Sequence, residues 1–148
     1  MILRTIVAFI AAVVVAAALA AIANTQFVLA ELTRLGIEVG LGDRLAMTGH
    51  DIVGMTPLYL PVFGVGLLIG FSVAALVIRF LLPDWGQFGY TLAGATAVVA
   101  IMVIAMMTFG LMPVAGARTF GGMVAQGLAG AAGGYVFGRI LLRRAAAV

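Results

Sequence analysis

Residues 5–30 read TIVAFIAAVVVAAALAAIANTQFVLA, with no charge between Arg4 and Glu31. A helix crossing about 30 Å of hydrocarbon needs roughly 20 apolar residues at about 1.5 Å each. This stretch is long enough. Three more qualify: residues 57–82, interrupted only by Arg79, residues 85–109, and residues 120–142, interrupted only by Arg139. All four are continuously apolar and rich in Ala and Leu rather than alternating, which excludes a β-barrel. The expected fold is an all-α integral membrane protein, a four-transmembrane-helix antiparallel bundle forming one polytopic domain over residues 1–148. An outer loop at 31–55 separates the first two spans.

The composition agrees. Of 148 residues, 65% are hydrophobic and 9% charged, against about 25% charged in ordinary soluble domains. Mean hydropathy is +1.28. A soluble domain of this size could not hide so much apolar surface, so a soluble enzyme, a nucleic-acid binder and a disordered tail are all excluded. The pI near 10.2 reflects eight scattered arginines and no lysine, with a net charge of only +3. Those arginines read as topology signals, not as a nucleic-acid patch. With no cysteine and one histidine, neither thiol chemistry nor a His-rich metal site is expected, and no cofactor is implied.

Local punctuation places the ends. Thr56-Pro57 offers an N-cap followed by proline at the first helical position, and Pro61 predicts a kink one turn in. Pro83 stops the second span, and Asp84 with Gln87 resembles a capping box for the third. Gly110 and Pro113 close the third span, and Thr119 caps the fourth. Within 31–55, Leu41, Leu45, Thr48, Ile52 and Met55 recur at helical spacing among Gly40, Gly42, Gly49 and Gly54. A short amphipathic helix lying on the outer interface is expected there.

Orientation follows from the arginines. With both termini inside, the inner side carries Arg4, Arg79, Arg139, Arg143 and Arg144 against Asp84. The outer side carries Arg34, Arg44 and Arg118 with four acids. The bias predicts N-in, C-in in a bacterial-type cytoplasmic membrane. Arg4, the apolar run and Ala21-Ile22-Ala23 imitate a signal peptide, but the run is longer than the usual h-region and resumes at Phe27, so a retained helix is expected. Setting Met55 on Met112 aligns mostly Gly and Ala, which gives no firm internal repeat.

The strongest motif concerns packing. Gly122, Gln126, Gly130, Gly134 and Gly138 form one stripe on the fourth span, with Ala129 and Ala132 off it. Gly66 and Gly70, continued by Ala74, do the same on the second span, and Ala8, Ala12, Ala16 and Ala20 lead to Asn24 on the first. Small residues at this spacing let backbones approach closely where water cannot drive association. The stripe is expected to pack the bundle, its alternative being an interface with another copy or another membrane subunit. Gln126 is expected to clasp Asn24 or Thr25 across helices.

His50-Asp51 is the one acid–base candidate. Neighbours on a helix point about 100° apart, and no serine, cysteine or second histidine accompanies them. Asn24, His50 and Asp51 therefore stand only as a polar outer-face site, and no catalytic residue is assigned. No acid lies within a span, whereas ion-coupled transporters usually need a membrane-embedded ionisable group. The methionines, Met102, Met106 and Met107 among them, read as lipid-exposed filler. The expected role is a non-enzymatic accessory or interaction protein embedded in the lipid bilayer. The alternative is a small oligomeric transporter, channel or lipid-handling protein.

Overall fold

The structure, a computed structural model, describes residues 2–142; Arg143 and Arg144 lie outside the described residues. Among those described there are four α-helices and no strand: α1 (Ile2–Arg34), α2 (Leu41–Phe80), α3 (Gly86–Phe109) and α4 (Phe120–Leu142). Single 3₁₀ turns at Pro83–Trp85 and Ala115–Ala117 precede α3 and α4. Among the described residues, three helices are long and apolar enough to cross a membrane: α1, α2, and α3 with its preceding turn. They fit a multi-pass membrane protein. α4 falls short of that measure because its glycines add little hydropathy and Gln126 subtracts from it.

The helices form a ring, α1 against α2, α2 against α3, α3 against α4 and α4 against α1. Contacting residues run in opposite directions at every step. Gln126 meets Ala20 and Arg4 meets Ile140 between α4 and α1, while Gly66 meets Ile101 and Gly89 meets Ile78 between α2 and α3. Ala8, Ala12, Ala16 and Ala20 of α1 are completely buried. A chain starting at Asn24 would lose that wall.

The ring has two unlike ends. At the basal end all four helices finish together, and Arg4 Nε donates to the Ile140 carbonyl at 2.7 Å. That bond sets a cation on a carbonyl in the last described turn of α4, where the helix dipole favours positive charge. Arg79 and Arg139, in the last turns of α2 and α4, share this end. Each guanidinium lies over a ring, Phe80 at 5.6 Å and Tyr135 at 5.9 Å. At the apical end α1 and α2 continue beyond α3 and α4. With 33 and 40 residues they measure about 50 and 60 Å, against about 35 Å for the other two.

This extension corrects the expected outer segment. Residues 41–55 are not a separate short helix but the first turns of α2, which runs unbroken through Pro57 and Pro61. Thr56 is not a cap: its hydroxyl donates back to the Ile52 carbonyl. Polar pairing with α1 holds the extension upright. Thr25 Oγ1 donates to Asp51 Oδ2 at 2.7 Å, Gln26 Nε2 to Thr48 Oγ1 at 3.2 Å, and Arg44 Nη2 to Thr33 Oγ1 at 3.3 Å. The capping box is also overturned. No side chain caps α3, and Gln87 Nε2 instead donates to the Tyr135 carbonyl on α4 at 3.0 Å. Gly110 ends α3 in the left-handed region at φ 68°, as its place after an apolar run predicts. Thr119 Oγ1 accepts from Gly122 N at 3.1 Å, capping α4.

Candidate functional site

Polar side chains gather in one layer near the apical end of the ring. On α2, Asp51, Met55, Tyr59, Phe63 and Leu67 recur every four residues and face inward, so one helical stripe changes from polar to apolar as it descends. Opposite it, Asn24 of α1 is buried and uses both ends of its amide. Oδ1 accepts from Gly116 N at 2.8 Å, and Nδ2 donates to Met55 Sδ at 3.6 Å. Thr25 is fully buried. Its oxygen lies 3.1 Å from its own Ala21 carbonyl and 2.7 Å from Asp51 Oδ2. One proton cannot serve both fully, and the nearer, charged acceptor holds it.

Gln126, 1% exposed, donates from Nε2 to the Ala20 carbonyl at 3.1 Å. The bond does join α4 to α1, but to the backbone rather than to Asn24 or Thr25. Gln126 Oε1 and the Tyr59 hydroxyl are buried with no hydrogen-bond partner among the described residues. Below them Phe63, Leu67 and Val98 are completely buried, and an aromatic group of Phe71, Tyr90 and Phe137 continues the core. Phe71 and Phe137 stack at 4.3 Å.

The structure does not make an acid–base pair of His50 and Asp51. Asp51 turns to Thr25, whereas His50 is exposed on the outside of α2.

The glycine stripe of α4 lies inside the ring. A side chain on Gly130 would run into the Gly94 carbonyl of α3, one on Gly134 into the Tyr90 carbonyl, and one on Gly138 into Gln87. Gly122 abuts the Gly116 carbonyl at the turn before its own helix. A second set, Gly133 and Gln126, meets α1, with a Cβ on Gly133 falling 2.7 Å from the Ala12 carbonyl. Two of the helix's faces are therefore flat. Ala129, off the stripe by the helical wheel, is also buried, at 4% exposure.

Gly66 and Gly70 face α3, not α4, where Ile101 and Ala97 approach them. They line a groove of about 460 Å³ on the outer surface of the α2–α3 pair, together with Ala74, Ala93, Ala97 and Ala100. Of the three methionines on α3, Met106 and Met107 are exposed, but Met102 is buried in the core.

The polar layer was only partly visible in the sequence. Asn24, Gln126 and Asp51 stand out as polar groups among apolar ones. Tyr59, Gly94 and Gly116 did not stand out. The four-residue spacing from Asp51 to Tyr59 was the available signal. No family model, no curated protein and no solved structure matches this chain.

Proposed function

We infer that the chain is a non-enzymatic accessory protein of a bacterial-type cytoplasmic membrane, crossing it four times with both termini inside. In this reading it associates with a transmembrane helix of another membrane subunit along the α2–α3 groove. The observation that carries the reading is the groove itself. From Gly66 to Ile78 it follows α2 for about 18 Å, over half of the roughly 30 Å hydrocarbon core. Small residues, Ala74 on one wall and Ala93 and Ala100 on the other, alternate with Ile69, Val73 and Leu92, and small residues are where helices approach closely in lipid. The small-residue faces of α1 and α4 are occupied within the ring, and Gly66 and Gly70 themselves pack on Ile101 and Ala97 of α3, so a partner helix would meet the outward Val73, Ala74 and Ala100 of the groove.

Photo-crosslinking in intact membranes tests this. A crosslinker at Val73, on the groove, should capture a discrete companion that copurifies stoichiometrically in mild detergent, while one at Ile10 on α1 should not. Val73→Trp and Ala100→Trp should abolish the companion and leave the monomer's thermal stability unchanged. Equal capture from both sites, or a companion retained by both tryptophan variants, would reject the groove. A small oligomeric transporter, channel or lipid-handling protein is the second reading, favoured by the buried polar layer. Against conduction stands the apolar layer of Phe63, Leu67 and Val98 beneath it.

A further inference from the structure

Two buried polar atoms among the described residues lack a partner, the Tyr59 hydroxyl and Gln126 Oε1. Burying such a group unpaired is costly, so each normally finds protein or water. They are chemically complementary. A tyrosine hydroxyl has a proton to donate, and an amide oxygen can only accept. The orientation of the Gln126 amide is fixed by its other end, because the Ala20 carbonyl can receive only the NH₂.

Register brings the two to one level. Between α1 and α2, Asn24 meets Met55 and Phe9 meets Phe71, which sets Tyr59 opposite Ala20. Gln126 is bonded to that same Ala20. α2 and α4 both run opposite to α1, so they run in the same direction. Helical side chains lean toward the N-terminus of their own helix, so both side chains lean apically, toward the level of Asn24. The Tyr59 ring is held in place by stacking on Phe63 at 5.0 Å. The layer is closed below by Phe63, Leu67 and Val98, and polar above through Asn24, Thr25 and Asp51.

We propose that this layer is a buried water site, in which one water accepts from the Tyr59 hydroxyl and donates to Gln126 Oε1, linking the diagonally opposed helices α2 and α4. Ordered waters typically occupy such positions, bonding about three otherwise unsatisfied polar groups. The completely buried Phe63, Leu67 and Val98 beneath it keep the site from continuing as a path through the ring. It does not depend on the accessory role or on the groove.

The test is water-to-protein cross-relaxation by NMR, on the full chain in lipid nanodiscs with ¹⁵N-labelled glutamine. The Gln126 side-chain amide protons should show a cross-peak to long-lived water, and Tyr59→Phe, which keeps the ring and its stacking, should abolish it. Thermal unfolding gives the second readout. Tyr59→Phe and Gln126→Met should each lower Tm, and the double variant should fall by clearly less than the sum. Absence of the cross-peak in the wild type, with the singles still coupled, would mean a direct Tyr59–Gln126 bond and overturn the water. Additive Tm losses, or a cross-peak unchanged in Tyr59→Phe, would overturn the site.

Discussion

At the scale of single residues, the closest approaches in the molecule depend on the absence of a side chain. Gly94 of α3 faces Gly130 and Gly134 of α4 with backbone against backbone, and any Cβ at these positions meets a carbonyl or an amide. Backbone cannot turn aside as a flexible side chain can, so a substitution must push the helices apart. Overpacking of this kind typically costs about 1–3 kcal/mol. Gly134→Ile and Gly94→Ile are expected to lower the unfolding midpoint in detergent by comparable amounts, and combining them should cost less than the sum because one contact is lost twice. Leu128→Ile, on the outward, exposed side of α4, should leave the midpoint within error. Four-residue spacing revealed the α4 stripe in the sequence, whereas Gly94 could not be found that way. Its four-residue neighbours on α3 are Tyr90 and Val98, so it belongs to no small-residue stripe, and its importance arises only when α4 lies against it. Tyr59 is a similar case: tyrosine commonly marks a membrane interface, and only the register with α1 shows this one to be enclosed.

At the scale of elements, the boundaries most readable from sequence were those where one residue decides the backbone. Gly110 takes a positive φ at the end of α3, and Gly110→Ala should destabilise the chain by about 1 kcal/mol, measurable as a lower unfolding midpoint. Thr56-Pro57 misled because the competing forces are non-local. The bonds that hold the start of α2 against α1 join residues such as Gln26 and Thr48, or Thr25 and Asp51, and no local rule weighs them. Neighbouring helices routinely let a membrane helix continue through proline. Continuity carries its own prediction. Gly49 and Gly54 now sit inside a helix, and a Cβ on either would meet nothing within 4 Å. Gly49→Ala and Gly54→Ala should each stabilise by about 0.4–1 kcal/mol through lost freedom in the unfolded chain. Amide exchange over residues 41–56 should slow in parallel. Unchanged exchange in both variants would mean that this segment is not part of a continuous α2.

At the scale of the whole molecule, the two unlike ends supply the argument for four crossings. Arg4, Arg79 and Arg139 share the basal end, and positive charge flanking spans resists translocation, which is why the proposed topology puts the basal end in the cytoplasm. α4 is less apolar than the other three helices, yet it is flanked by α1 and α3, and its polar Gln126 is turned inward to Ala20. A helix so enclosed needs little hydropathy of its own, since neighbours rather than lipid cover its glycines and its amide. The absence of cysteine makes the test clean. Single cysteines at Leu3 and Asp84 mark the basal end, and at Leu35 and Ala115 the apical end, all at exposed positions. An impermeant maleimide added to intact cells should label Leu35→Cys and Ala115→Cys only, and all four after permeabilisation. A reporter active only outside the cytoplasm, fused after Val148, should stay silent. Labelling of Asp84→Cys from the same side as Ala115→Cys would deny that α3 crosses. An active reporter would deny the crossing to α4, and α4 would then have to meet its partners α1 and α3 outside the bilayer, where their alanine and glycine faces have no reason to be so flat.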